Sequence, residues 1–324
     1  MARAAQRSKQ KSSKQQAAAK RRRPGVPPTV AKAPKPTLGS WLGAARPATL
    51  GLSIAPVAIG YGAATVAQQA DLLITLLCLA VAVFLQIGAN FANDFSDGVR
   101  GTDKHRVGPS RLVGSGAVAP KTVLIIALVF FALAAAAGLG IVVLTQYWWL
   151  LAVGAAALLA AWFYTGGPKP YGYYGLGEVF VFLFFGLAAT LGTMFVNTGA
   201  LNQEAEFGAY GIGSIAVAVL MINNLRDREQ DKAAGKRTLA VLIGSVATKV
   251  LIVLALVVVP GAITALLQLA YSAVGFAFFA AIPAIPAAII VIWGKTAPEL
   301  VTALKLAGLT GLLWGVLVAI GLIV

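Results

Sequence analysis

Residues 121–144, KTVLIIALVFFALAAAAGLGIVVL, continue for 23 positions after Lys121 without a charged side chain. A stretch of about 20 mostly apolar residues is long enough to cross a bilayer as an α-helix. Applied outward, the same ruler gives nine such segments, near 41–66, 71–93, 121–144, 147–165, 175–197, 208–225, 246–268, 271–293 and 299–324. Composition agrees. Of 324 residues 59% are apolar and 11% charged, and mean hydropathy is +0.82, against about half apolar and a quarter charged in soluble chains. The expected fold is an all-α integral membrane protein with about nine transmembrane helices in a single bundle.

Orientation follows from Lys and Arg, because short loops rich in them stay in the cytoplasm. One side holds Arg100, Lys104, Arg106, Arg111, Lys121, Lys169, Arg226, Arg228, Lys232, Lys236, Arg237, Lys249 and Lys295, while the opposite turns hold only Asp71, Glu204 and Glu206. This alternation predicts a cytoplasmic N-terminus and, after nine crossings, a C-terminus outside. The chain then divides into a tail, 1–38, and a membrane domain, 39–324. Eleven of the 26 Lys/Arg precede residue 39 and no acid does. A segment mixing those cations with Ala, Gln and Pro buries too little apolar surface to fold, so a disordered cytoplasmic tail is expected. Its expected partner is an anionic lipid headgroup; a solvated extension with no specific partner is the plainer alternative. About 38 polar residues before the first apolar run do not resemble a cleaved signal peptide. The net charge of +15 is thus mostly local, and nucleic acid is not an expected partner. A single cysteine, Cys78, and a single histidine, His105, exclude an intrachain disulfide and a Cys/His zinc site. Any metal needs oxygen ligands.

The acids are concentrated in two clusters at the cytoplasmic ends of the second and sixth segments. An ionised Asp deep in a bilayer costs about 2.5–3.5 kcal/mol even on the mildest scale, so the clusters need a reason. In Asn90-Phe91-Ala92-Asn93-Asp94-Phe95-Ser96-Asp97 a continuing helix places Asn90, Asp94 and Asp97 on one face by a step of four and then three. In Asn223-Asn224-Leu225-Arg226-Asp227-Arg228-Glu229-Gln230-Asp231 successive steps of four align Asn223, Asp227 and Asp231. Converging carboxylates repel unless protons, basic side chains or cations neutralise them. Magnesium suits such open carboxylate pairs, since it takes one or two carboxylates and completes its octahedron with water and phosphate oxygens. Each cluster is followed by a basic stretch containing glycine, 100–111 and 232–238. Arg binds phosphate bidentately, Lys as a point charge, and glycine lets backbone approach a ligand. The two halves together read as a diphosphate site. Solvated helix ends with i,i+4 ion pairs are the bland alternative for either cluster alone.

Asn93-Asp94-Phe95-Ser96-Asp97 and Asp227-x-x-x-Asp231 on a nine-helix scaffold resemble the UbiA superfamily of intramembrane prenyltransferases. The resemblance covers about residues 40–324. In many members a third Asp lies four residues after the second, whereas here Asp103 follows Asp97 by six. That spacing, with Arg106-Val107-Gly108-Pro109, Tyr164-Thr165-Gly166-Gly167-Pro168-Lys169-Pro170, Gly175-Leu176-Gly177-Glu178 and Gly235-Lys236-Arg237-Thr238-Leu239, is similar to the branch acting on 1,4-dihydroxy-2-naphthoate.

The resemblance implies magnesium-dependent transfer of a polyprenyl group from its diphosphate to 1,4-dihydroxy-2-naphthoate. Carbon dioxide and diphosphate are lost, giving demethylmenaquinone at the cytoplasmic face of a bacterial cell membrane. It further implies Asp94, Asp97, Asp227 and Asp231 as metal ligands. Asn90, Asn93, Arg100, Asp103, Lys104, Arg106, Arg111, Asn223, Arg228 and Lys236 become substrate-binding candidates. Lys169 and Tyr164 are added at the catalytic centre, although an interfacial anchor and an interfacial aromatic are equally good readings of them. For Glu178 a pairing with a loop Arg is the alternative to touching substrate, and Arg46 and Lys305 are expected to reach the interface as structural cations. Runs of small residues, 134–140 and 154–157, permit close helix packing or a groove for the prenyl tail. Other acceptors within the superfamily are 4-hydroxybenzoate, homogentisate or a sugar phosphate. Outside it, a secondary transporter would carry its acids near mid-membrane, and a membrane phosphotransferase would carry an Asp-Gly-x-x-Ala-Arg run that is absent here. A non-enzymatic scaffold leaves the paired Asn/Asp stripes unexplained.

Overall fold

The computed structural model describes residues 35–101 and 111–324. Most of the expected tail, and the candidates Asp103, Lys104 and Arg106, lie outside the described residues. Among the described residues every regular element is helical: α1 Leu38–Ala45, α2 Pro47–Val66, α3 Leu72–Arg100, α4 Pro120–Thr145, α5 Leu150–Phe163, α6 Gly177–Thr198, α7 Gln203–Ala233, α8 Leu239–Leu267, α9 Ser272–Trp293 and α10 Ala297–Ile323. A single 3₁₀ turn, Tyr171–Tyr173, precedes α6. Eight of the helices, all but α1 and α5, are long and apolar enough to cross a membrane.

The segment expected at 147–165 is shorter than hydropathy implied. Gln146 ends α4 in the left-handed conformation (φ 61°), and Tyr147 to Trp149 form the turn into α5 rather than its first turn of helix. The remaining 14 residues span about 21 Å at 1.5 Å per residue, less than the roughly 30 Å of hydrocarbon. The segment expected at 41–66 is broken in two. Arg46 (φ 56°) separates α1 from α2, and Pro47 starts α2, where its missing N–H leaves no helical bond unmade. Thr37 caps α1 reciprocally with Ser40, and Asn90 Nδ2 donates to Ala45 O at 2.9 Å, so the joint is tied to α3.

Helices α3 and α7 run well past the expected apolar segments and carry both Asp clusters on continuous helix. Asp71 caps the start of α3 by accepting from Ile74 N at 2.9 Å. Gly235 (φ 75°) follows the end of α7 and turns the chain back on itself.

Packing follows small residues. Helix α2 lies along α10, where a Cβ on Gly315 would stand 2.5 Å from Ala55 Cβ and one on Gly62 would stand 2.9 Å from Ala319 O. Close backbone approach replaces the hydrophobic driving force that lipid cannot supply. A large buried cluster centres on α2, α7 and α10 with Ile59, Ile212, Ile215 and Trp314, and a smaller one joins α1, α3 and α4 through Ala44, Phe91, Ala127 and Phe131. Gly315→Leu is expected to push α2 from α10 at a cost of about 1–3 kcal/mol, lowering the thermal midpoint in detergent. Gly261→Ala, where the added Cβ meets nothing within 4 Å, is the matched control. Equal midpoints for the two variants would contradict this packing.

Candidate active site

A cavity of about 830 Å³ lies within the bundle. Cys78 and Asp97, 19 residues apart on α3, both line it, so it extends for about 28 Å along that helix. Ala134, Ala135 and Gly138 of α4, Gly154, Ala155 and Ala157 of α5, and Gly192 of α6 contribute to its walls. The small-residue runs noted in the sequence thus face a groove. Toward the ends of α3 and α7 the lining becomes polar, with Asn90, Asn93, Asp97, Arg111, Asn223, Asn224, Arg226, Asp231 and Lys236.

Lys236 occupies the centre of this polar end. Its Nζ lies 3.6 Å from Asp97 Oδ1 and 3.8 Å from Asp231 Oδ1, and 4.3 Å from the centre of the Tyr173 ring. Arg111 reaches Asp97 Oδ2 at 3.7 Å, and the Tyr173 hydroxyl donates to Asp97 Oδ1 at 2.7 Å. These four charged side chains are only 4–14% exposed. Pairing two carboxylates with two cations limits what would otherwise be a prohibitive desolvation penalty. Backbone geometry places them: Lys236 N donates to Asp231 O at 2.8 Å and Arg237 N to Tyr173 O at 2.8 Å. The Tyr171 hydroxyl donates to Ala160 O at 2.9 Å. Burial pushes that phenol above its ordinary pKa, which keeps the proton on the donor.

A second layer supports the first. Asp94 is fully buried and accepts from Leu112 N at 2.8 Å and Val113 N at 3.1 Å, fixing the turn that follows Arg111. Asp227 is gripped by Arg226, with Nε to Oδ1 at 2.7 Å and Nη2 to Oδ2 at 2.6 Å. Arg226 also donates to Asn223 Oδ1 at 2.8 Å. Arg100 donates to the carbonyls of Thr165 and Gly167, and Thr165 donates to Asn93 Oδ1 at 2.5 Å. Asn224 Nδ2 donates to Glu178 Oε1 at 2.9 Å.

Residues 53–309 match the UbiA prenyltransferase family. The chain belongs to that family. It is 45% identical over 283 residues to the 1,4-dihydroxy-2-naphthoate octaprenyltransferase of Mycobacterium tuberculosis, covering 87% of this chain and 96% of that protein. It is 37% identical over 213 residues to the Escherichia coli protein of the same name, covering 64% and 69%. In three dimensions it resembles a UbiA homolog from Archaeoglobus fulgidus bound to DMAPP and Mg2+, with a TM-score of 0.60 at 16% identity, over 88% of this chain and 99% of the other. The protein is therefore a multi-pass membrane prenyltransferase.

In this prenyltransferase Asp97, Asp231, Asn90, Asn93, Asn223, Arg111, Lys236 and Tyr164 all line the cavity. Asp94 does not share the cavity face of Asp97. At 100° per residue Asn93 and Asp97 fall on one side of Asn90 and Asp94 on the other, where it meets the 112–113 backbone. Asp227 lies under the Arg226 guanidinium, outside the cavity lining. Three expected contacts fall elsewhere. Lys169, between Pro168 and Pro170, is exposed and outside the cavity. Arg228 ties α7 to α8 through Ala240 O at 3.0 Å and pairs with Glu229. Arg100 is exposed and clamps the 165–167 backbone. Glu178 accepts from Asn224, and among the described residues no Arg reaches it. Arg46 and Lys305 line the cavity instead of serving only as interface anchors. For Arg46 the signal was present in the following proline, which breaks the helix and redirects the side chain. Tyr173, Asn224 and Arg226 were not identified, because each acts through a partner distant in sequence or through its own neighbour.

Asp94→Asn replaces one buried acceptor with a donor that faces a backbone N–H. The expected loss is about 1–3 kcal/mol of stability, with faster amide exchange at Leu112 and Val113 by hydrogen–deuterium mass spectrometry. Unchanged exchange at those two amides would sink the assigned role of Asp94.

Proposed function

We propose that the chain transfers a polyprenyl group from polyprenyl diphosphate to 1,4-dihydroxy-2-naphthoate, with release of carbon dioxide and diphosphate. The observation that carries this reading is one cavity joining a long apolar channel to a buried Asp97, Asp231, Arg111 and Lys236 cluster, the shape and polarity of an isoprenyl diphosphate. The names of the relatives support the naphthoate as acceptor.

The donor set fits magnesium. Asp97 and Asp231 supply two carboxylates at an open polar end, which is what a magnesium–diphosphate complex requires. Asp227, one turn before Asp231, is the nearest reserve ligand, and Asp94 serves the loop instead. When bound, magnesium would supply Lewis-acid stabilisation of the leaving diphosphate. Arg111 and Lys236, already directed at the carboxylates, are placed to take phosphate oxygens. Arg46, on the same cavity at the start of α2, is the candidate for the acceptor's carboxylate.

The apolar walls keep water from the allylic carbon as its C–O bond breaks. The ring carbon bearing the carboxylate forms the new C–C bond, and the electrons of the departing C–CO2 bond return to the ring. Both hydroxyls remain, and no protein base is required for that step. The Tyr164 ring lines the cavity and can face developing positive charge. The Lys and Arg distribution supports a cytoplasmic face for the polar end, and the basic composition of the tail supports anionic lipid as its partner.

Purified protein in detergent with magnesium and an isoprenyl diphosphate should prenylate 1,4-dihydroxy-2-naphthoate but not 4-hydroxybenzoate, and should stop with EDTA. Asp97→Asn and Asp231→Asn are expected to lose at least about a hundredfold in rate, whereas Lys169→Ala stays within about threefold. Prenylation of the benzoate alone would overturn the acceptor, and activity surviving Asp97→Asn would overturn the site.

A further inference from the structure

Glu178 in the first turn of α6 is 6% exposed, and Asn224 on α7 is 8% exposed. Among the described residues no Lys or Arg lies within ion-pair distance of Glu178. A carboxyl removed from water without a cation is costly, and what it holds is the amide of Asn224, at 2.9 Å. The Asn224 NH2 donates to Glu178 Oε1, an oxygen that accepts whether the group is ionised or carries a proton on Oε2, and this contact orients the amide. The amide oxygen is thereby left for the cavity that Asn224 lines.

Asn224 stands at a particular level of that cavity. Along α7 the lining changes from Val219 and Leu220 to Asn223, Asn224, Arg226 and Asp231. The allylic carbon of a prenyl diphosphate is the junction of a hydrocarbon and a phosphate ester, so it belongs where apolar lining gives way to polar. An aromatic acceptor must lie beside that carbon. Of the other amides lining the cavity, Asn93 already uses its oxygen to accept from Thr165. The Tyr164 ring approaches the start of α6 so closely that a Cβ on Gly177 would lie 3.5 Å from its Cε2.

We propose that Asn224 Oδ1 accepts a hydrogen bond from a ring hydroxyl of a hydroxyaromatic acceptor, and that Glu178 is the positioning residue that fixes the amide for it. This rests on the reading of the site as that of an aromatic prenyltransferase. A hydroxyl whose proton is drawn to an amide oxygen releases electron density into its ring, which favours attack on an electrophilic carbon. A cation at the same place would withdraw it.

The test uses the full chain in detergent with magnesium, an isoprenyl diphosphate and 1,4-dihydroxy-2-naphthoate, varying each substrate while the other is saturating. Asn224→Ala and Glu178→Ala are expected to lower kcat/KM for the acceptor by about tenfold or more while the donor's KM stays within about twofold, the signature of a lost acceptor contact. Glu178→Gln retains an oxygen for the Asn224 NH2 and should recover to within about threefold of wild type. The 1,4-dimethoxy analogue of the naphthoate has no ring hydroxyl left to donate, so Asn224→Ala should cost it less than about threefold. An equal loss against the methoxy analogue, or a donor KM that rises as much as the acceptor's, would overturn the assignment. If Glu178→Ala does not elute as a folded protein, Asn224→Ala with the two acceptors decides alone. Wild-type protein that prenylates no hydroxyaromatic compound would instead overturn the functional reading beneath it.

Discussion

A carboxylate at the end of an apolar helix is stable only beside a counter-charge, and Lys236 supplies one to two such carboxylates at once. Its ammonium lies within 4 Å of both Asp97 and Asp231, so the last turns of α3 and α7 are coupled through a group that belongs to neither helix. The turn at Gly235 carries Lys236 back onto Asp231, and Tyr173 holds the next residue. Removing one member of a buried ion pair costs about 3–5 kcal/mol because the other charge is stranded. The polar end is therefore a cooperative unit in which backbone turns, one aromatic ring and four charges depend on each other.

The layer behind it has a different chemistry. Asp94 and Asp227 satisfy a backbone turn and an arginine rather than the cavity. Neighbouring aspartates in one motif thus differ in setting: one carboxylate faces the cavity and the other holds the structure beside it. Glu178 and Asn224 repeat the arrangement with an amide as the presented group.

Much of this was legible in the sequence because hydropathy and charge act locally. The crossing helices of α4, α6 and α8, and both Asp clusters, follow from runs and steps that need no knowledge of neighbours. The failures have physical causes. A count of apolar residue types includes Tyr147, Trp148 and Trp149, but it does not see that the chain turns there, so α5 was overestimated. A four-then-three stripe puts Asn90, Asp94 and Asp97 on one broad face, but a cavity edge is narrower than that face, and Asp94 falls beyond it. Lys169 admitted two readings in sequence, and its exposed position outside the cavity favours the interfacial anchor. Glu178 could be noticed as an acid within an apolar helix, but its partner 46 residues away is a property of packing alone.

The length of the apolar channel carries an energetic consequence. In water, burying a hydrocarbon tail is driven by its escape from solvent, but a donor that arrives from the bilayer leaves one hydrocarbon medium for another. Its tail then gains little from leaving solvent, and what the cavity adds is packing against walls that mix alanine and glycine with Leu85, Leu158, Phe180 and Phe184. The charged end then carries the part of recognition that hydrocarbon cannot supply. A cavity of this kind distinguishes hydrocarbons by how they pack in it rather than by their escape from solvent.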